Sequence, residues 1–567
     1  MLLGVNLAVQ LGDFCLFLPE TGGRFSTSVR SVRFSRRRPG EPPPQPAEEL
    51  AEPTITQLLG PDEEGADELL SDSAVKRRAK SGIFFVGSWG ALNLFVGFFG
   101  SIVLARTLLP RDFGIVAVGA TLMMFTTSLA DGGLGSGLIR RERPPSRAEL
   151  SSALGLQLTL TTALAGIAAA VGLAVGGAGL VVALMMIGLP IAALQTPGRV
   201  VLSRALRFRA MATVEGLGVL TYYLWAVGGV LAGLGVWALA SAVVVRAVVS
   251  AGGIVRVSGL GLLGPSYRKV RELKPVIAFG IRFQAVSLTG MVREQGLNAG
   301  IAAIAGVATL GLWTLTKRLL ELPVLIFEPL HRVSFPLLSR MLSQHQDPAR
   351  LLDRSVAVAG TASGLVLVGL AASAPELVPA VFGEQWRDVA VILQWVCAAL
   401  LVAGPISVAG VGFLYAAGSP SVVLRATALH TVVLFGVTFA LLPSIGPAAI
   451  GMGSLAGAVV DAGVMAHGIR RWSTARPLLS LAPTLVVATA AAAAGLAVTE
   501  AAAPGLAAGI AGGLTATVAY LGLLLVVRRA VLFDTVRLIV DALRTGLSRD
   551  LPASADQPEA TRAATAS

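Results

Sequence analysis

The chain has 567 residues, of which 54% are hydrophobic and only 14% are charged, and its mean hydropathy is +0.74. Because soluble domains carry about a quarter charged residues, this composition excludes an ordinary soluble protein. A net charge of +12 would indicate nucleic-acid binding in a soluble chain, but here membrane topology accounts for the basic residues, and we expect no nucleic-acid partner.

Residues 1–80 differ in composition from the rest of the chain, with clustered arginines, a proline run and an acidic stretch. Such a segment has too little apolar surface to build a core, so we predict a disordered cytoplasmic extension. Its start fits a signal peptide poorly, because Asp13 interrupts the apolar residues and no Lys or Arg precedes them. A start site assigned too far upstream would explain the region equally well.

Apolar stretches recur along most of the remaining chain, and each is long enough to cross about 30 Å of hydrocarbon as a helix. We predict fourteen such spans, so the chain is expected to be an all-α integral membrane protein. Their approximate bounds are 82–104, 113–131, 152–173, 178–196, 212–232, 236–255, 275–292, 299–316, 355–381, 389–416, 421–442, 446–469, 478–498 and 505–527.

The positions of Lys and Arg test this count, because basic residues near span ends stay in the cytoplasm. With the N-terminus inside, 39 of the 45 basic residues fall in cytoplasmic segments, when Arg425 at the cytoplasmic start of the eleventh span is counted with the loop before it. The other six are Arg106, Arg111, Arg293 and Arg387 in outside loops, and Arg246 and Arg282 within spans. One missed or invented helix would scramble this asymmetry, so the sequence predicts a multi-pass protein with both termini in the cytoplasm.

The sequence has no pattern that is typical of an enzyme. Every predicted outside loop is shorter than about ten residues, which leaves no domain for the acids, base or metal of a membrane glycosyltransferase. The sequence has no phosphate-binding glycine loop, its four histidines are scattered, and Cys15 and Cys397 are too far apart to indicate a zinc site. We therefore expect no catalysis, no metal and no cofactor, which leaves a transporter, a channel or a scaffold.

Five blocks of sequence carry a family resemblance. They are LARTLLPRDFGIVAVGATLMMFTTSLADGGLGSGLIRR at 104–141, GVATLGLWTLTKRLLELPVLIFEPLHRVSFPLLSRM at 306–341, FGEQWRDVAVILQWV from Phe382, YAAGSPSVVLRATAL from Tyr415 and GPAAIGMGSLAGAVV from Gly446. In this order they resemble polysaccharide-export flippases, which form the polysaccharide transporter branch of the multidrug, oligosaccharidyl-lipid and polysaccharide flippase superfamily. The resemblance covers roughly residues 80–530.

The resemblance implies two six-helix lobes related by a pseudo-twofold axis along the membrane normal, with two further helices added. It also implies a central cavity that opens to alternate sides of the membrane. The expected parts are an N-lobe at 81–256, a basic cytoplasmic linker at 257–274, a C-lobe at 275–470, an added helix pair at 471–530 and a cytoplasmic tail at 531–567.

A short internal repeat accompanies this resemblance. The segment Pro110–Ile115 starts the second span, and the similar segment Val307–Leu312 lies near the start of the eighth. Parallel repeats of this kind occur in transporters that rock one half against the other. The alternative is that such a segment is merely a common way to begin a tightly packed helix.

Two arginines lie inside predicted spans, Arg246 and Arg282. An arginine at the bilayer centre costs about 2.5–3.5 kcal/mol on insertion, so each should face a cavity or an acid. At 100° per residue, Arg282, Thr289 and Arg293 fall within about 40° of one another and form a polar stripe. If the substrate carries a polyprenyl diphosphate, these arginines are candidates to bind its phosphates. The alternative is neutralisation by a nearby acid, for which the candidates are Glu294, Glu215 and Asp131.

Asp461, in the twelfth predicted span, is a candidate to carry a proton or to pair with a cation. The alternative is that Asp461 only stabilises helix packing, with Arg425 or Arg470 as its ion-pair partner. Weaker candidates for sugar hydroxyls are the amides Asn93, Gln157 and Gln284, for which interhelical hydrogen bonding is the other interpretation. Relatives often place an acid near residues 297–298, where this chain has none, although Glu294 lies one turn earlier.

Together these features predict a flippase that moves a lipid-linked oligosaccharide or polysaccharide precursor across the bacterial plasma membrane. The expected partners are that substrate, membrane lipids and proteins of glycan polymerisation or assembly. The nearest rival is a drug or organic-cation antiporter of the same superfamily, for which an acid-rich cavity is expected. A third interpretation is a non-transporting scaffold of a glycan-assembly complex, with residues 1–80 as its docking arm.

Overall fold

The computed structural model describes residues 72–141, 143–324, 340–341, 344 and 347–547, so most of the predicted N-terminal extension and the end of the predicted tail lie outside the described residues. Over the described residues the chain consists of helices and connecting loops, without a strand. This confirms the predicted all-α class.

The first half of the described chain contains α1 (Asp72–Thr107), α2 (Pro110–Asp131), α3 (Leu134–Arg140), α4 (Arg147–Val175), α5 (Ala178–Met186), α6 (Gly188–Ala193), α7 (Thr196–Arg204), α8 (Phe208–Leu231) and α9 (Val236–Ser258). The second half contains α10 (Val270–Val324), α11 (Ala349–Phe382), α12 (Asp388–Ala416), α13 (Pro420–Ile445), α14 (Ala448–Ile469), α15 (Pro477–Ala501) and α16 (Leu506–Leu547), with a 3₁₀ turn at Glu384–Trp386.

Eleven helices of the described chain are long and apolar enough to cross a membrane. The count rises to twelve if Ala178–Ala193 and Thr196–Arg204 are one span bent by 45°. A shorter apolar segment, Leu92–Thr107, lies in α1. The chain is therefore a multi-pass membrane protein, and the number fourteen remains a prediction.

Helix α10 differs from the sequence prediction, which placed an outside loop at 293–298 between two spans. The structure is helical through these residues and breaks instead at Gly306, whose φ of 82° and ψ of 170° are non-helical. Glycine adopts a positive φ without strain because it has no Cβ. The loop assignment for Arg293 is thus wrong, because polar residues that look like a loop in the sequence form part of the helix.

The chain divides into two compact units, and the first comprises the described residues up to Ser101 together with Leu122–Thr289. Glycine permits a close backbone contact within this unit. Gly133 has a φ of 74° and meets Gly280 so closely that a Cβ on either residue would collide with the other's backbone. Around this contact lies a core of buried aliphatic side chains that includes Leu134, Leu138, Leu150, Val200 and Leu273.

The second unit comprises Ile102–Thr121 and the chain from Gly290 onward. Its core is formed between α11, α12, α14 and α15 by fully buried side chains that include Val356, Ile406, Phe413, Met465 and Leu481. Helix α16 packs on this core and breaks at Arg528, which donates a hydrogen bond to the Ser480 carbonyl at 2.6 Å. The break falls at the predicted end of the last span. The predicted lobe boundaries remain a prediction.

Candidate functional site

Arg246 is a half-buried arginine in the middle of α9, within the first unit. Its Cγ packs against Gly218 of α8, so closely that a Cβ at this glycine would lie 3.5 Å from it. Within the described part of the chain, its guanidinium makes neither an ion pair nor a hydrogen bond. A guanidinium held inside a span without a partner is available to bind an anion.

The acids predicted as possible partners of Arg246 bind other groups in the same unit. Glu215 forms an ion pair with Arg199 at 2.8 Å, and the Arg199 guanidinium also donates to the Gln195 amide oxygen. Asp131 accepts hydrogen bonds from the backbone amides of Gly133, in the turn after α2, and of Gly135, at the start of α3. The structure therefore does not support neutralisation of Arg246 by either acid.

Gln157, predicted as a weak candidate for sugar binding, is buried in α4. Its amide nitrogen donates to the Asp131 carboxylate at 3.1 Å, which supports the interhelical interpretation. Its amide oxygen is buried and accepts no hydrogen bond within the described chain. Asn93, the other described amide candidate, lies half-buried in α1.

In the second unit, the structure brings together two residues that were predicted separately, Arg293 and Asp461. The Arg293 guanidinium of α10 interacts electrostatically with Asp461 on α14 and with His430 on α13. The Asp461 carboxylate also accepts a hydrogen bond from Ser407 on α12 at 3.3 Å. These four residues form a mixed-charge cluster shared by four helices.

A second polar network in this unit surrounds Lys317. Its ammonium lies 3.5 Å from the Glu294 carboxylate and 3.3 Å from the Asn298 amide oxygen. The Asn298 amide nitrogen donates to Gln295 at 3.1 Å and to Thr121 on α2 at 3.3 Å. The network therefore joins α2 to both sides of the break at Gly306 in α10.

Lys317 was missed by the sequence analysis, which placed it beyond the end of the eighth span. The structure places it within a helix that runs from Gly290 to Glu321 as a candidate span. Its ammonium lies 5.7 Å from the centre of the Trp313 ring, one turn earlier. Two features of the sequence could have indicated that Lys317 lies within the span. Trp313 precedes it by four positions, on the same helix face, and two leucines, Leu319 and Leu320, follow it.

Three predicted residues, Arg282, Gln284 and Thr289, belong to α10 by backbone, but their side chains lie outside the described part of the structure. The predicted stripe of Arg282, Thr289 and Arg293 therefore stays a prediction. Within the described residues, no group of three or more His, Cys, Asp or Glu side chains is placed to hold a metal ion.

Many membrane-spanning helices with charged networks between them are an architecture typical of membrane transporters. Residues 103–391, about half of the chain, match the family model described as polysaccharide biosynthesis protein. The chain belongs to this polysaccharide biosynthesis protein family.

Two relatives and one solved structure agree with this assignment. The succinoglycan biosynthesis transport protein ExoT of Rhizobium meliloti (strain 1021) is 26% identical over 302 residues, which cover 50% of this chain and 58% of ExoT. The lipopolysaccharide biosynthesis protein WzxC of Escherichia coli (strain K12) is 23% identical over 374 residues, which cover 63% of this chain and 71% of WzxC.

The fold is that of the lipid II flippase MurJ in an inward closed conformation, with a TM-score of 0.60 at 11% identity over 79% of this chain and 99% of MurJ. Family and fold together confirm the resemblance to flippases of the multidrug, oligosaccharidyl-lipid and polysaccharide superfamily. The chain is thus a flippase-like transporter of polysaccharide biosynthesis, although it spans little more than half of the length of ExoT.

Proposed function

We propose that this protein moves polyprenyl-diphosphate-linked oligosaccharide or polysaccharide precursors from the inner to the outer leaflet of a bacterial plasma membrane. The observation that carries the proposal is the unpartnered guanidinium of Arg246 inside a span. A diphosphate is the part of such a substrate that most needs cationic partners in a low-dielectric environment. The prenyl tail is a hydrocarbon and presents no charge to these groups.

Arg246 is the proposed phosphate ligand of the first unit. Burying an arginine in a span costs about 2.5–3.5 kcal/mol, and no ion pair in the described chain offsets this cost. A guanidinium matches phosphate oxygens with two parallel hydrogen bonds and stays protonated in the membrane. The free arginine therefore has the chemistry expected of a site that waits for an anionic headgroup.

The second unit has cations of its own that lie near acids. Lys317 lies 3.5 Å from the Glu294 carboxylate, and Arg293 is within electrostatic range of Asp461, so each cation has an acid close to it until an anion competes for it. A diphosphate with more than one negative charge competes well with a single carboxylate. Arg282 is proposed to add a further cation on the same helix as Arg293.

The acids released by this exchange are the proposed coupling groups. Asp461 and Glu294 each lose a cationic partner when the substrate binds, which favours uptake of a proton or a small cation in its place. This exchange would link substrate loading to an ion gradient. Polar side chains of the spans are proposed to contact the sugars: Asn93, Gln284 and Thr289.

Alternating access completes the proposed mechanism. A cavity open to the cytoplasm admits the diphosphate and sugars while the prenyl tail stays in lipid, and the two lobes then rock to release the headgroup outside. The termini are proposed to lie in the cytoplasm, where membrane lipids contact the basic loops and glycan-assembly proteins supply the substrate.

The test is mass spectrometry of polyprenyl-linked sugars from cells depleted of the protein, with leaflet location measured by an impermeant sugar-modifying reagent. Accumulation of a full-length carrier-linked glycan on the inner leaflet is the expected result, and it would also name the glycan. An unchanged lipid-linked pool with normal surface glycan, in a strain without a redundant transporter, would refute the proposal.

A further inference from the structure

Helix α16 continues well beyond the end of the last predicted span. It breaks at Arg528, whose guanidinium donates to the Ser480 carbonyl near the start of α15. Beyond the break the helix runs on to Leu547, a further length of about 28 Å. The start of α15 is on the predicted cytoplasmic side, so this segment of α16 begins at the cytoplasmic surface of the membrane.

One side of this segment packs against the second unit. The side chains of Leu532 and Thr535 are buried there. Asp534 forms an ion pair with Arg354 of α11, in which nitrogen and oxygen are 2.8 Å apart. These contacts fix the rotation of the helix about its own axis, and they therefore also determine which side chains face away from the protein.

The side that faces away carries two apolar residues beside two arginines. Phe533 is 57% exposed and Val536 is 47% exposed. Arg529 and Arg537 are exposed too, and neither forms an ion pair with the side chains that the structure describes. At 100° per residue, Arg529, Phe533 and Val536 fall within about 60° of one another, and Arg537 lies about 40° further round. An apolar stripe edged by arginines is typical of a helix that lies in the membrane interface.

The loop between α14 and α15 adds an exposed aromatic residue to the same end of the unit. Trp472 is 56% exposed and lies two residues after the exposed Arg470. Further along this loop, the Arg476 backbone amide donates to the Asp353 carboxylate at 2.9 Å. Asp353 directly precedes the α11 arginine that pairs with Asp534. The loop and the last segment of α16 are thus joined through the start of α11.

We propose that this end of the second unit is a binding site for acidic phospholipids of the inner leaflet. The inner-leaflet site is defined as Arg470, Trp472, Arg529, Phe533, Val536 and Arg537. Its arginines bind the phosphate-bearing headgroup, because basic residues directly beyond a span attract anionic lipid. Its aromatic and aliphatic side chains enter the layer between headgroups and acyl chains.

The chemistry of the exposed side favours a lipid over a soluble anion or a protein. A soluble phosphate would contact the arginines but would leave Phe533 and Val536 in water. A protein would have to displace lipid from this stripe, because the segment is continuous with a spanning helix and begins at the membrane surface. A phospholipid supplies both the anion and the apolar chain that the two kinds of side chain require.

The test is a lipid titration of the purified full-length protein in a neutral detergent. Native mass spectrometry counts the bound lipids and gives the apparent Kd of the first phosphatidylglycerol and of the first phosphatidylcholine. Each arginine near an anionic surface contributes about fivefold, so Arg529 and Arg537 together give phosphatidylglycerol an advantage of about 30-fold. The double variant Arg529→Gln with Arg537→Gln is expected to lose most of this advantage.

A matched control removes two arginines from the predicted cytoplasmic side of the first unit. Arg256 and Arg268 are both exposed, and replacing both by glutamine changes the net charge by the same amount. This control is expected to change the affinity for phosphatidylglycerol less than twofold. Equal losses in the two double variants would overturn the proposal, because they would show that net charge alone attracts the lipid.

Two further observations from the same titration identify the occupant. Inorganic phosphate and diphosphate are added as competitors, and neither is expected to displace bound phosphatidylglycerol at equal concentration. Displacement by either anion would overturn the assignment to a lipid. A protein dimer that excludes the lipid and is lost in Phe533→Ser would overturn it in favour of a second copy of the chain.

A depth measurement provides a second test if the arginine variant fails to fold. Phe533→Cys, in a background in which Cys15 and Cys397 are replaced, carries an environment-sensitive fluorophore in vesicles of phosphatidylcholine and phosphatidylglycerol. Brominated acyl chains are expected to quench this fluorophore, whereas aqueous iodide should quench the same label on Arg268→Cys. A label at position 533 that iodide quenches as strongly as the one at position 268 would refute the site. Neither test contains a transport substrate, so both are independent of the proposed function.

Discussion

Replacing Arg246 by glutamine should separate a substrate-binding role from a structural one. Glutamine keeps the Cβ and Cγ that pack against Gly218, so the helix contact survives while the charge is lost. Since this arginine has no partner in the described chain, its removal leaves no acid uncompensated and relieves part of the insertion cost of about 2.5–3.5 kcal/mol. Arg246→Gln should therefore fold as well as the native protein, or better.

Transport by Arg246→Gln should decrease, although its stability is unchanged or raised. Hydrogen bonds to a charged group contribute about 1.5–3 kcal/mol, which corresponds to about a 10- to 150-fold loss in apparent affinity for a diphosphate-linked substrate. Arg246→Lys should fall between, because an ammonium keeps the charge without the two-pronged geometry. Arg256→Gln, at the exposed end of the same helix, is the control and should transport normally.

The assay is uptake of a lipid-linked oligosaccharide in proteoliposomes over a range of substrate concentrations, together with thermal unfolding of the same preparations in detergent. Native transport by Arg246→Gln would refute the reasoning. So would a clearly lowered melting temperature, because it would show that the arginine has a structural partner in the folded protein.

Two further predictions concern stability. Lys317→Met should lower the free energy of unfolding by about 1–2 kcal/mol by leaving Glu294 without its cation, and the double variant with Glu294→Gln should recover most of the loss in a thermal unfolding assay. Hydrogen bonds from the hydroxyls of Thr474 and Ser473 lower the pKa of the Asp347 carboxyl. Its contribution to stability should therefore be complete above the unfolded pKa of about 3.9 and be lost as the pH falls through the folded value, whereas Asp347→Asn should remove this pH dependence of unfolding.

Additive losses in the lysine double variant would contradict the pairing, because independent residues give independent costs. For the aspartate, the control is the native protein measured at neutral pH and near pH 3 under the same conditions. An asparagine variant that retains the whole acid-dependent change in stability would contradict the assigned cause.

Hydropathy and charge determined where most helices lie. The predicted spans 389–416, 421–442 and 446–469 match α12, α13 and α14 within a few residues, because each crossing helix needs a long apolar run that can be recognised locally. The family blocks likewise identified the transporter class before any contact was known. These properties depend on composition over about 20 residues and not on distant partners.

Only the tertiary structure decided where α10 bends and which charges lie inside it. Arg293 and Lys317 look like loop residues when each is assessed by its own hydropathy, yet both lie within one candidate span. Their neighbours Asp461 and Glu294 are separated from them by more than 20 residues, so a local window does not detect the compensation.

Arg246 shows the opposite case. The sequence offered Glu215 as a possible partner, but in the folded chain Glu215 pairs with Arg199. Whether a charge in a span is neutralised or free depends on the side chains that neighbouring helices place beside it. A single sequence states the cost of each buried charge, whereas the packing of the helices determines which charges are compensated and which remain available for a ligand.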